Sequence, residues 1–158
     1  MSTPNRSSGF TLLELLLAGL MMALLATIAV PSYKTYMLRS NRAVGQGMLS
    51  NLVIQQELQF LRSGRYASDF SMVLGSDNSN ADYFFLSRSG QIAKALNGNG
   101  ASIYKVELLD ASATAFVLSA TTIGDQAKDK DCAVLMLVSS GQKTASASQD
   151  GDASNCWR

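Results

Sequence analysis

One carboxylate sets the terms for this chain. From Phe10 to Val30 the sequence reads FTLLELLLAGLMMALLATIAV, 21 residues whose single charge is Glu14. As a helix this stretch is roughly 31 Å long, the thickness of a bilayer's hydrocarbon core. A carboxylate within such a segment costs a few kcal/mol even on lenient insertion scales, so Glu14 asks for a partner. The nine residues ahead of it, MSTPNRSSG, are polar, and their one charged side chain is Arg6. By the positive-inside rule Arg6 marks the cytoplasmic side of a single span.

Three readings fit an apolar run at this position. A cleaved secretory signal has a shorter apolar core and a small-x-small cleavage site. Thr27-Ile28-Ala29 would serve as that site, but 21 residues is long and Glu14 is out of place. A plain signal anchor fits the length and leaves Glu14 unexplained.

The third reading rests on a motif. Gly9-Phe10-Thr11-Leu12-Leu13-Glu14 resembles the cleavage site of type IV prepilins, with Glu as the fifth residue after the cut. Pro31 stands 22nd from Phe10, where such pilins carry a helix-kinking proline. The resemblance implies that a membrane prepilin peptidase removes residues 1–9 and N-methylates the new Phe10 amine. That amine, in the same or a neighbouring subunit, would be the partner of Glu14 during assembly. It further implies a precursor in the inner membrane, single-pass with residues 31–158 periplasmic. Assembly machinery then builds it into an extracellular pilus, where residues 10–30 pack against the N-terminal helices of other pilin subunits.

Past Pro31 the helical pattern continues. Tyr33, Met37, Val44, Met48 and Leu52 fall in one stripe at 100° per residue, with Lys34, Arg39, Asn41, Arg42 and Gln46 on other faces. Tyr33 and Tyr36 suit either a membrane-interface belt or packing on the globular domain. Gly45 and Gly47 each weaken the helix by about 1 kcal/mol relative to alanine, so packing must hold it. Arg62-Ser63-Gly64 supplies a basic last turn and a glycine cap, which places the end near Leu61.

From Arg65 to Ala101 the periodicity fails amid turn residues, although Tyr83–Leu86 has strand character. The last third is β-rich. Ile103–Leu109, Ala115–Thr122 and Ala133–Ser139 are runs of Val, Ile, Leu and Thr, and Ser139–Gln142 reads as a hairpin turn into Lys143–Ser146. The expected fold class is α+β: a long kinked helix packed through its amphipathic half on a three- to four-stranded antiparallel sheet.

Cys132 and Cys156 are the two cysteines. In an exported domain they form a natural disulfide pair, with two buried thiols as the alternative. In type IV pilins a disulfide of this kind closes the C-terminal D-region. The ending Cys156-Trp157 and the run from Asp131 to Gly141 are similar to minor pilins of the E type (PilE-like).

Enzymatic chemistry finds little support. The chain has no histidine, which excludes Ser/His and Cys/His nucleophile pairs, and it has no glycine-rich phosphate loop or cofactor motif. Asp125–Asp131 brings carboxylates to short spacing. It lacks the glycine and terminal glutamate of a calcium-binding EF-hand loop, and two lysines interrupt it. Major pseudopilins of type II secretion share the N-terminal motif and use a C-terminal calcium loop, whereas the two cysteines favour a pilus. Lys128, Lys130 and Lys143 are candidates for touching DNA, as in competence pilins, but neighbouring aspartates cancel much of their field. With 13 basic and 12 acidic side chains the whole chain has no strong field of its own.

The resulting expectation is a structural subunit of a type IV pilus, a minor pilin acting in assembly or initiation, within the context of adhesion, twitching motility or DNA uptake. The alternatives are a DNA-binding or adhesive pilin, and a pseudopilin.

Overall fold

The computed structural model describes residues 10–75, 79, 82–96, 101–147 and 153–157. The leader and the cleavage residue Gly9 lie outside the described residues. The chain divides into two units, Met1–Met37 and Leu38–Arg158.

In the first unit, helix α1 (Leu12–Ser63) begins. The Thr11 hydroxyl accepts from the Glu14 amide (3.3 Å), occupying one of the donors that a helix start leaves free. Glu14 lies in the first turn of α1. Its carboxylate therefore sits at the positive end of the helix dipole and away from the middle of the apolar run. The helix continues through Pro31. Its apolar side chains in this unit are exposed almost all round, Tyr33 and Tyr36 included.

In the second unit α1 buries one face: Asn41, Gly45, Leu49, Leu52 and Gln56. The stripe expected from Tyr33, Met37, Val44, Met48 and Leu52 is therefore rotated. Val44 and Met48 flank the core, while the buried line includes a glycine and two amides. Asn41, expected on an outer face, is 2% exposed. The helix ends at Ser63, two residues beyond Leu61, and Gly64 caps it as expected, with φ of 72° and its amide bonded to Phe60 O.

The segment expected to be irregular holds a short helix α2 (Ser71–Leu74) and strands β1 (Tyr83–Ser87) and β2 (Ile92–Ala93). Gln56 pins its start to the helix, accepting from Ala67 N–H at 2.8 Å and donating to Ala67 O at 3.3 Å. The remaining strands are β3 (Ser102–Ala111), β4 (Phe116–Thr122), β5 (Val134–Val138) and β6 (Lys143–Ser146). The sheet has six strands in the order β2-β1-β3-β4-β5-β6, every described pairing antiparallel. This corrects the expected three or four. β1 and β2 are too short to carry a readable alternation; pairing makes them strands, β1 with β3 and β2 with β1.

Alternation sends Phe84 and Leu86 of β1, Leu118 and Ala120 of β4, and Leu135 and Leu137 of β5 into one core with Leu49 and Leu52 of α1. Cys132 and Cys156 are joined as a disulfide, their Cα atoms 5.6 Å apart. The bond ties a C-terminal 3-10 turn (Ala153–Trp157) to the start of β5. Trp157 Nε1 donates to Thr144 O (2.7 Å), and Gln46 Nε2 donates to Cys156 O, so this turn is held by β6 and α1 alike.

Candidate functional site

One end of the globular unit gathers charge. There β4 leaves the sheet at Ile123 in extended conformation, and Gly124 turns the chain with φ of 57°. A side chain at Gly124 would place its Cβ 3.2 Å from Ser102 O, so glycine suits both the turn and the close approach. A 3-10 turn (Gly124–Lys128) follows, with Gln126 N bonded to Ile123 O and Asp129 N to Gln126 O.

Gln126 is completely buried. Its Oε1 accepts from Asn41 Nδ2 at 2.8 Å, and its Nε2 donates to Leu38 O and Asp129 Oδ2, each at 3.1 Å. Asp129 in turn takes two hydrogen bonds from Arg42, Nε to Oδ2 at 2.6 Å and Nη2 to Oδ1 at 2.5 Å. The hydrogen bond to Asp129 raises the Arg42 guanidinium above its ordinary value against an opposing effect of burial. A buried pair of this geometry fixes the loop on the helix.

Tyr104 lies under this network. Burial drives its hydroxyl far above the ordinary tyrosine value, with Asp129 adding to the shift. The Oη has no hydrogen-bond partner of standard geometry, and Asn41 Oδ1 is likewise unpartnered.

Near the network lie Arg39, which lines a pocket with Arg42; Arg88, which acts on Asp125; and Lys128, with Lys130 following in the same loop beside Asp129 and Asp131. Asp125 is paired with Lys128 (2.6 Å). That hydrogen bond and charge hold its carboxyl below the usual range, and Arg88, in the β1–β2 turn, adds to the effect. A surface pocket of about 310 Å³ is lined by Arg39, Arg42, Asn155 and Cys156. Arginine and lysine side chains here share one loop and the adjoining helix with the aspartates they pair with, and cations of this kind are able to meet phosphate groups.

The three lysines singled out in the sequence are not one cluster. Lys128 and Lys130 are at this end, but Lys143 opens β6 at the opposite end of that strand and lies over the Trp157 ring, 5.4 Å from its centroid. Arg39, Arg42 and Arg88 take its place. Nothing local in the sequence marks them, because their neighbours are some 40 to 90 positions away. The aspartates of the 125–131 loop separate too, Asp129 turning inward to Arg42 and Asp125 outward to Lys128. No group of three metal-ligating side chains occurs among the described residues.

A family model described as "Type IV minor pilin ComP, DNA uptake sequence receptor" matches residues 31–136. The chain belongs to that family of type IV minor pilins. It is thus a pilus structural subunit that associates with other pilins, a class of proteins that is structural and not enzymatic. Its apolar helix suits membrane anchoring. Among solved structures, the non-core minor pilin PilV of Neisseria meningitidis is similar at 17% identity, with a TM-score of 0.43 over 71% of this chain and 89% of that one. None of the curated proteins matches the chain.

Proposed function

We propose that this minor pilin takes part in DNA uptake, its globular unit contacting DNA through the basic end while its apolar helix holds it in the pilus. The observation that carries the reading is where the family match falls. It starts at Pro31, beyond the N-terminal motif that pilins and pseudopilins share, and runs through the globular unit to Met136. The model's own description is of a DNA uptake sequence receptor. The basic end is consistent with it, since Arg39 and Arg88 bring charge that Lys128 alone, paired with Asp125, does not offer.

In this reading the prepilin peptidase cuts after Gly9 and the Phe10 amine is methylated. The precursor is single-pass in the inner membrane with its globular unit periplasmic, and assembly machinery moves it into the extracellular fibre. Glu14, in the first turn of α1, pairs in this reading with the Phe10 amine of its own or a neighbouring chain, which offsets the desolvation of both charges.

Purified pili carrying the full-length chain test this directly. Binding of duplex DNA, measured against salt, weakens with a slope of about −0.9 per phosphate neutralised and is lost in a strain lacking the chain. Equal binding with and without it overturns the receptor reading. Mass spectrometry of the same pili is expected to find an N-methylated Phe10 start; a start at Val30 overturns the prepilin reading. Glu14→Ala is expected to be processed and to enter fibres poorly.

A further inference from the structure

The 124–129 loop stands at the first residue of the globular unit. That residue is Leu38, whose carbonyl accepts from Gln126 Nε2 at 3.1 Å. Arg39 and Arg42 follow it, nine and twelve residues past Val30, the last of the apolar run. Nine residues of helix rise about 14 Å, and long side chains lean back toward the helix N-terminus and extend their charged heads into a polar layer. Tyr33, Lys34 and Tyr36, all exposed, come between. These are the residue types that anchor a span among lipid headgroups.

The pocket of about 310 Å³ lined by Arg39, Arg42, Asn155 and Cys156 opens at this place. Arg39 is exposed and makes no ion pair among the described residues. Arg42 commits Nε and Nη2 to Asp129, which leaves its Nη1 donors for another acceptor. Two guanidiniums against one carboxylate leave one positive charge, the complement of a single phosphodiester. Asn155, also exposed, adds an amide at the rim. A DNA duplex presents a row of phosphates on a convex rod, whereas a concavity of this size admits one small anionic group.

We propose that this pocket holds the phosphate of an anionic phospholipid headgroup while the chain is in the bilayer, Arg39 and the free donors of Arg42 taking its oxygens and Asn155 the rest of the headgroup. The proposal rests on the reading of the chain as a single-pass membrane precursor. It goes beyond that reading by giving the globular unit its own contact with the lipid surface, in addition to the apolar helix. Entry into the fibre ends the contact, so the basic end is open to DNA only after assembly.

The test uses the full-length chain purified in a neutral detergent. Native mass spectrometry across a titration with dioleoylphosphatidylglycerol is expected to show one tightly retained lipid. Dioleoylphosphatidylcholine, whose headgroup has no net charge, is expected to be retained about five-fold less. Arg39→Gln is expected to lower phosphatidylglycerol retention by a similar about five-fold, and Asn155→Leu to lower it with no change of net charge. Lys143→Gln removes the same charge as Arg39→Gln at a site away from the pocket and is expected to leave retention as it was. The substituted side chains Arg39, Asn155 and Lys143 are all exposed, so melting temperatures are expected to match the parent's and show that each variant is folded. Equal retention of the two lipids, or an equal loss in Lys143→Gln, overturns the proposal, because charge without a pocket would do as much. Inorganic phosphate or duplex DNA bound at Arg39 and not displaced by phosphatidylglycerol overturns it too, and assigns the pocket to a free anion or to DNA. If the full-length chain does not fractionate with the cell membrane, it is the single-pass reading that fails.

Discussion

At the scale of single residues, two glycines in one helix have opposite meanings. A Cβ on Gly45 would lie 2.9 Å from Tyr104 Cε2 and 3.1 Å from its Cζ, both in a ring with no room to move. Gly45→Ala is expected to destabilise the full chain by about 1–3 kcal/mol through overpacking. Gly47→Ala meets nothing and is expected to stabilise by about 0.5–1 kcal/mol, the ordinary helix preference. Denaturant midpoints of the two variants check the pair, and a like sign for both would show that the Tyr104 contact does not matter. From the sequence the two glycines were equivalent, because only the position of Tyr104, 59 residues away, separates them.

Tyr104 also gives a pH dependence. Its folded value lies well above the ordinary 10.0, so the folded state binds the phenolic proton more tightly than the unfolded chain. The resulting stability is full below pH 10 and declines as pH rises toward the folded value. Ultraviolet titration is expected to show one tyrosine ionising only as the protein unfolds. In Tyr104→Phe, which removes an unpartnered buried hydroxyl, that decline is expected to disappear without loss of stability at neutral pH.

At the scale of elements, the disulfide and the loop it follows are fastened by different means. Cys132–Cys156 closes a loop of about 25 residues, for which the chain-entropy estimate is about 3–4 kcal/mol. The Gly124–Lys128 turn is held instead by Gln126 and by Asp129 on Arg42. Reduction is therefore expected to free the C-terminal turn, read as a change in Trp157 fluorescence, while amide exchange in residues 124–129 stays slow. Rapid exchange in both would mean that the two devices are one. The strand-rich runs of β3 to β6 and the extent of α1 were legible because each repeats its own period over several turns or pairs. β1, β2 and the rotation of the buried face of α1 were not. They depend on which residues the fold presents to the helix, and the amides Gln56 and Asn41 enter the core by bonding Ala67 and Gln126, outside their own helix.

At the scale of the whole molecule, charge is distributed by the fold and not by composition. A chain with near-equal numbers of acidic and basic groups still brings Arg39, Arg42, Arg88 and Lys128 to the 124–129 loop, which Lys130 follows in sequence. If this end meets DNA, Arg88→Glu and Lys130→Glu are expected to weaken binding at every duplex sequence alike and to flatten the salt slope. Lys143→Glu, at the opposite end of β6, is expected to change it little. Anisotropy titrations at several salt concentrations distinguish the two, and an effect of Lys143→Glu equal to the others would relocate the surface.

The sequence by itself determined the membrane-length apolar helix, the unusual carboxylate near its start and the α+β class. These are properties of contiguous residues, fixed by composition and period. That Glu14 lies in the first helical turn and that Thr11 caps it are local facts, but only the structure fixed where the helix starts. The six-stranded sheet, the Gln126 clamp and the basic end also belong to the fold. All three are meetings of residues far apart in the chain, and their contact depends on register and packing that no local pattern encodes. Glu14 remains the residue around which the first half is built. For the second half that place belongs to the meeting of α1 with the 124–129 loop.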